Sequence, residues 1–383
     1  GTTKYFYDKL GRSSKVTRIV DSVNYETFTT YDTLGRIISI KYPDPSGVDG
    51  EVVQYSYDSG GNLSQVVGYA AFAGYNALGQ LKTVTYKNNV ITSYHYDSMN
   101  NRLTDIVTKN PSQAELLNLT YKYYSAGSVW SITDHKNADR SQTFIYDELN
   151  RLKQAQSITY GPLFYNYDQI GNILLKEGIT YKYADDLSIT GPAHGVLETT
   201  DGKQYTYDAN GNMVADTVRS IDYDYDNMPK TVTINNVTTE FRYSGKGSRV
   251  KKITPNGTTV YIGKLYECKE GACSKYIFAG GTRLALKTAT DTLYYHQDHL
   301  GSSRIMTNQL GEPQEEMYYY PYGAAREDTG AVSVSHKFTS QELDAETGLY
   351  YYGSRYYDPV LARFISPDTM VPSFSARPCQ VFS

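Results

Sequence analysis

The sequence predicts an all-β protein: a curled antiparallel strip of tandem β-hairpins. Three observations carry that reading. The chain spends 40 residues on Tyr against 11 on Phe and one on Trp. A motif of the form Tyr-Asp-x-x-Gly-(Arg/Asn)-apolar recurs along it. Apolar and polar residues alternate on either side of the copies, the period of a strand with one drier face.

The motif appears as YDKLGR from Tyr7, YDTLGRI from Tyr31, YDSGGNL from Tyr57 and YNALGQL from Tyr75. It returns as YDSMNNRL from Tyr96, YDELNRL from Tyr146, YDQIGNI from Tyr167 and YDANGNM from Tyr207, with degenerate copies from Tyr225 and Tyr243. Between residues 97 and 145 the pattern fades, although Tyr121, Tyr123 and Tyr124 hint at an eroded copy. Each copy supplies its own turn. The Asp side chain can accept from backbone amides ahead of it, and Gly supplies the positive φ that closes the loop. Strands follow, as in Leu81-Lys82-Thr83-Val84-Thr85-Tyr86. Adjacent clear copies lie 18 to 26 residues apart, which is one hairpin per unit and about 19 hairpins in the chain. Helical periodicity is confined to one modest candidate, Ser112 to Leu117.

Hydrophobic residues make up 40% of the chain and mean hydropathy is -0.52, which suits a thin, hydrogen-bonded β-structure better than a thick oily core. Tyrosine serves such a structure because its ring packs while its hydroxyl reaches a partner. The formal net charge of -4 comes without a basic stripe, so nucleic acid is not an expected partner. No run of 18 apolar residues is present, so no transmembrane helix is expected. The chain opens inside a repeat with no secretory leader, and the expectation is a piece of a longer exported polypeptide. Three cysteines do not make a disulfide framework. Cys268 and Cys273 flank a hairpin tip and are read as two free thiols, with a small bridge across the tip as the alternative; Cys379 has no evident partner.

The C-terminal third is distinctive. It begins YHQDHLGSSR from Tyr295 and continues through Tyr320-Pro321-Tyr322-Gly323 and Phe338-Thr339-Ser340-Gln341-Glu342-Leu343-Asp344. It ends in the run from Thr347 through Arg355-Tyr356-Tyr357-Asp358-Pro359 to Ala362-Arg363-Phe364-Ile365-Ser366-Pro367-Asp368. Repeats and block together resemble the Rhs/YD-repeat family, which includes bacterial polymorphic toxins, Tc toxin C components and teneurins. The resemblance divides the chain into hairpin repeats at 1–290, an Rhs-associated core domain at 291–370 and a divergent or truncated tail at 371–383. It implies a secreted or cell-surface β-shell or solenoid, closed by the core domain as a C-terminal plug, that encloses or displays a C-terminal toxin or effector, alone or with a partner shell subunit.

In several relatives the core is a self-cleaving aspartic-type peptidase, and by position Arg355, Asp358 and Asp368 are the residues that would carry it. Such chemistry needs one ionised carboxylate and one protonated carboxyl, with a guanidinium holding the first ionised. The structural alternative for the same residues is an Arg355–Asp358 ion pair that fixes the plug. Self-cleaving relatives continue into a second Asp-Pro-x-Gly segment that is absent here, and Ala362 stands where many have Gly, so the scaffold reading leads. A second class of function competes: exposed tyrosines could stack on surface glycans in an adhesive array. His296, Asp298 and His299 are close in sequence, but alternate strand residues face opposite ways, so neither a metal nor a cofactor is expected. An open strip would also expose strand edges and self-associate.

Overall fold

The computed structural model describes residues 1–44, 50–184 and 191–368. The tail expected at 371–383, with Cys379, lies outside them. The described residues form antiparallel hairpins almost throughout, in which strand after strand pairs with its neighbour in sequence. The described residues form two compact units: those within 1–118, 240–320 and 325–342 make one, and those within 119–239, 321–324 and 343–368 the other. In the first, hairpins run from Thr2–Tyr7 to Leu103–Lys109 and again from Arg249–Thr254 to Ala325–Gly330. In the second they run from Val129–Asp134 to Pro229–Ile234, followed by the short strands Leu349–Tyr351, Tyr356–Asp358 and Arg363–Phe364.

The repeat motif builds one turn over and over. In the first copy Asp8 Oδ1 accepts from the amides of Leu10 and Arg12, both at 2.9 Å, and Arg12 Nε donates to Oδ2 at 2.7 Å. The copies at Asp32 and Asp147 repeat these bonds. The Gly position needs a left-handed backbone: Gly11 has φ 76°, and where the sequence offers Asn150 instead its φ is 58°. Asn tolerates that region better than other side chains. Amide donors from Arg12 and its neighbours hold the Asp8 carboxyl below its usual range, as those from Asn62 do for Asp58.

A register shift falls immediately before the motif tyrosine in copy after copy, at Phe6/Tyr7, Thr30/Tyr31, Ser56/Tyr57, Ile145/Tyr146 and Asn166/Tyr167. Such a bulge re-aims the side chain that follows. The tyrosine then reaches back to the preceding hairpin. Tyr31 OH donates to Ser13 O at 2.9 Å, Tyr57 to Ile37 O at 2.9 Å, Tyr75 to Leu63 O at 2.7 Å, Tyr96 to Leu81 O at 2.9 Å and Tyr167 to Leu152 O at 2.8 Å. The acceptor is always the sixth residue after the previous motif tyrosine. Where Arg follows the Gly position, its guanidinium lies over the same ring: Arg12 over Tyr31 at 4.6 Å, Arg36 over Tyr57 at 4.4 Å, Arg151 over Tyr167 at 4.6 Å. Adjacent hairpins are thus joined by side chains as well as by their strand ladder.

The structure corrects three readings. Ser112 to Leu117 is not helical: Gln113 sits at φ 67° in a turn closed by Ala114 N to Asn110 Oδ1, and the strand Glu115–Tyr123 follows. The local Asn110 acceptor competes with helix formation there. The degenerate copy begins at Tyr223, not Tyr225. Asp224 Oδ1 accepts from Asp226 and Met228, Asn227 takes φ 57°, and Tyr225 stands fully exposed at the tip. Cys268 and Cys273 are bridged rather than free, because they are directly opposite each other in the Tyr266–Lys269 and Ala272–Ala279 ladder. The eroded copy expected near Tyr121–Tyr124 is an intact turn in which Tyr124 N bonds Ser128 O and Gly127 N bonds Tyr124 O.

Candidate functional site

The C-terminal module of the second unit is held on its hairpins by tyrosines and one arginine. Tyr357 OH donates to Tyr322 O at 2.9 Å, Tyr167 and Tyr322 share a hydroxyl–hydroxyl bond of 2.6 Å, and Met213 N donates to Ile365 O at 2.8 Å. Asp358 is 3% exposed, at the end of the strand Tyr356–Asp358. Its Oδ1 accepts from the amides of Val360 at 2.9 Å and Leu361 at 3.0 Å, which shapes the turn that leads to Arg363–Phe364. Its Oδ2 is ion-paired with Arg219. Arg219 also binds Asp216, with Nη2 at 2.5 Å and Nε at 2.6 Å from Oδ2, and its Nη1 donates to Thr347 O at 3.3 Å. The two carboxylates beside the guanidinium push its pKa up against the opposing effect of burial.

Arg355 is elsewhere. Its Nη2 lies 2.9 Å from Asp368 Oδ2, and its guanidinium stacks on Phe364 at 4.0 Å. Asp368 is half exposed. Of the three residues singled out by position, Arg355 and Asp368 therefore meet each other. The guanidinium beside Asp358 is Arg219, and the Arg355–Asp358 pair that sequence suggested as plug fixture does not form. Arg219 lies in the strand Arg219–Tyr223, 139 residues from Asp358. Its only local signal was Asp216, which closes an Asp-x-x-Arg turn through Val218 N and Arg219 N.

A second buried polar cluster stands in the first unit. Glu342 pairs with Arg249 at 2.5 Å and Lys252 at 3.7 Å, and accepts from Tyr261 OH at 2.8 Å. Glu267 accepts from Tyr276 OH at 2.7 Å. Burial, reinforced by the Glu342 charge, pushes the Glu267 carboxyl up to about 7. His336 packs edge-on to Tyr276 at 4.7 Å, and burial drives its imidazole well below the ordinary value. One acid is thus raised beside a second that its cationic neighbours hold low, and both are engaged in hydrogen bonds or ion pairs within the unit.

Two of the three residues weighed for metal, His296 and Asp298, are engaged in other contacts. His296 is fully buried, bonds Thr307 Oγ1 at 2.9 Å through Nε2 and packs edge-on to Tyr86 at 4.6 Å; burial lowers its pKa to about 3. Asp298 is the turn aspartate of a repeat-like loop, capping Leu300 and Ser302.

Comparison with known proteins places this geometry. The teneurin YD-shell family model matches residues 99–380 and the RHS repeat model residues 75–111. Toxin subunit YenC1 of Yersinia entomophaga is 26% identical over 430 residues, covering 90% of this chain and 43% of that protein. Double-stranded DNA deaminase toxin A of Burkholderia cenocepacia is 24% identical and covers 88% of this chain and 22% of its own length. The crystal structure of TcdB2-TccC3 superposes with a TM-score of 0.78 at 21% identity, over 96% of this chain and 23% of that one. The chain therefore spans less than half the length of these relatives.

Proposed function

Because the chain belongs to the teneurin YD-shell family, we propose that it is a wall segment of a β-shell that encloses a C-terminal toxin or effector, and that it acts as a scaffold rather than a catalyst. The observation that carries this reading is the side-chain stitching of each hairpin to the one before it. Tyr31, Tyr57, Tyr75 and Tyr96 tie four successive hairpins in the first unit, and Tyr167 and Tyr223 do so in the second. A strip stiffened in this way suits a container wall, because it resists bending apart at any one hairpin. Relatives described as toxin subunits and a deaminase toxin support a toxic cargo. Exposed tips at Leu10, Leu34, Leu78 and Met99 support a partner shell subunit or self-association. The Cys268–Cys273 bridge suits an oxidising, exported setting, and no helix among the described residues is long and apolar enough to cross a membrane.

The test is limited proteolysis of the longer polypeptide that carries this chain. Cargo protected until the shell unfolds is the expected result; cargo digested as fast as free cargo refutes the proposal. A second reading, self-cleavage by the core, draws on the buried carboxylate of Asp358 and its guanidinium partner. The intact mass of the wild type beside Asp358→Asn separates the two: loss of a C-terminal piece from the wild type alone makes Asp358 a catalyst. The glycan-binding alternative would rest on Tyr225, Trp130 and Phe164, which are exposed; titration with surface glycans tests it through saturable quenching of Trp130.

A further inference from the structure

Two cysteines that the repeat does not require line an open cavity in the first unit. Cys268 and Cys273 are register partners in the strands Tyr266–Lys269 and Ala272–Ala279, and their bridge stands one residue pair from the hairpin tip. The tip is the two-residue turn Glu270–Gly271, both residues left-handed at φ 48° and 83°. Beside the bridge is a cavity of about 450 Å³ whose walls include both cysteines, Val23, Tyr25, Val260 and Glu270. The wall supplied by Val23 and Tyr25 is clamped in place. Asp21 pairs with Lys251, and the Tyr25 ring packs on Tyr266 with centroids 6.3 Å apart. Cys268 is 7% exposed and Cys273 is half-buried, so the cavity is an approach to both sulfurs.

The bridge has little to hold. A disulfide stabilises chiefly by closing a loop of the unfolded chain, and does so more for longer loops. This one links residues only five apart in sequence. Both strands are also paired on their other sides, with Gly257–Ile262 and Thr282–Lys287. The tip is tied again by Thr258 N, which donates to Glu270 Oε1 at 2.6 Å. The ladder therefore keeps the cysteines opposed when the bridge opens, and chemistry at the sulfurs is separable from unfolding.

We propose that the cavity is a thiol-exchange site: it admits a small thiol that opens the Cys268–Cys273 bridge, and its acidic wall selects thiols that carry a cationic amine. The thiolate sulfur bonds to Cys273 Sγ, the Sγ–Sγ bond breaks, and its electron pair leaves with Cys268 Sγ, which takes a proton from solvent. A second thiolate then attacks the ligand sulfur of the mixed disulfide and releases Cys273 as a thiolate. Two small thiols are oxidised to their own disulfide and one protein bridge is reduced. Selection follows from charge. Asp21 and Glu270 are the charged residues lining the cavity, and Lys251 compensates Asp21. The Glu270 carboxylate is left to attract an ammonium and to repel a carboxylate.

The test compares cysteamine with 3-mercaptopropionate on the folded, oxidised protein after Cys379 has been alkylated. Samples are acid-quenched, and newly freed Cys268 and Cys273 are alkylated and counted by mass. Each rate is divided by the same thiol's rate on 2-hydroxyethyl disulfide, which removes intrinsic reactivity. Cysteamine is expected to be faster by on the order of fivefold on this scale, with β-sheet circular dichroism retained after reduction. Glu270→Gln keeps the acceptor for Thr258 N and should erase the preference. Val23→Trp, a change at a partly exposed wall position, should slow both thiols at unchanged melting temperature. Equal normalised rates on the wild type overturn the proposal, as does a bridge that opens only when the hairpins unfold. A preference that survives in Glu270→Gln overturns the role given to that carboxylate, and unslowed exchange in Val23→Trp overturns the role given to the cavity.

Discussion

The Arg219 guanidinium and the Asp358 carboxylate, 139 residues apart in sequence, form a buried ion pair that fastens the C-terminal module to a repeat hairpin. Asp216 shares the same guanidinium. The module's last turns hang on this pair, since the other Asp358 oxygen organises the Val360 and Leu361 amides.

Removing one partner of a buried pair leaves the other charge stranded, so Arg219→Met is expected to cost about 3 kcal/mol. Asp358→Asn should cost less, because Asp216 still faces the arginine and the Asn oxygen can still cap two amides. Urea unfolding of each variant, with proteolysis mapped over residues 343–368, checks the order.

The tyrosine stitches predict a graded series. Tyr57→Phe removes one hydroxyl-to-carbonyl bond and should cost about 1 kcal/mol. Tyr167→Phe should cost more, because that hydroxyl also meets Tyr322 at 2.6 Å. Equal losses at the two sites would refute the added role of Tyr322.

The register of the degenerate copy is tested at neighbouring tyrosines. Tyr223→Phe loses a bond to Met213 O of 3.0 Å and should destabilise by about 1 kcal/mol. Tyr225→Ala changes an exposed tip and should fall within about 0.5 kcal/mol of wild type. Thermal melts of the pair decide it.

Glu267 predicts a pH signature. Its folded carboxyl titrates at about 7 against an ordinary value of 4.5. A raised carboxyl favours the fold while protonated, so its contribution is fully present below pH 4.5 and is lost as pH rises towards 7. His336 acts in the opposite direction: burial keeps its imidazole neutral in the fold, and stability is lost as pH falls below 6.5. Arg249, Lys252, Glu342 and Tyr276 also face Glu267. Glu267→Gln isolates its share. The variant should match wild type near pH 4.5 and gain on it, by on the order of 2 kcal/mol, by pH 7. An unchanging difference across that range would contradict the buried-acid assignment.

The disulfide predicts one reactive thiol per chain under non-reducing conditions, since two of three cysteines are bridged. Alkylation followed by peptide mapping should label Cys379 alone. Labelling of Cys268 or Cys273 would contradict the bridge.

What sequence revealed and what it concealed divides by distance along the chain. The Asp8 turn was legible because donor, acceptor and positive-φ residue all lie within five positions. Tyr225 was misassigned because two Tyr-Asp pairs overlap there, and only Asn227 in the left-handed region selects Tyr223. The bulge before each motif tyrosine was invisible, since a register shift exists only between two paired strands. Arg219 was invisible as the partner of Asp358, because nothing local to residues 355–368 points to it. Arg355, the nearer arginine, was the misleading choice: strand geometry sends it to Asp368 and Phe364.

The recurring bulge also bears on how such a chain changes over evolutionary time. Where the ladder shifts frame before a motif tyrosine, the hairpin keeps its own count of residues, and an added or lost residue in it need not propagate to the next. The turn at Asp97 already shows this: its closing bond runs from Asp97 N to Arg102 O, one residue longer than at Asp8, yet the register shift opposite Tyr96 is kept, between Leu103 and Asp105. Lengthening, shortening or duplicating a unit is therefore a local edit that leaves the joints between the other hairpins unchanged.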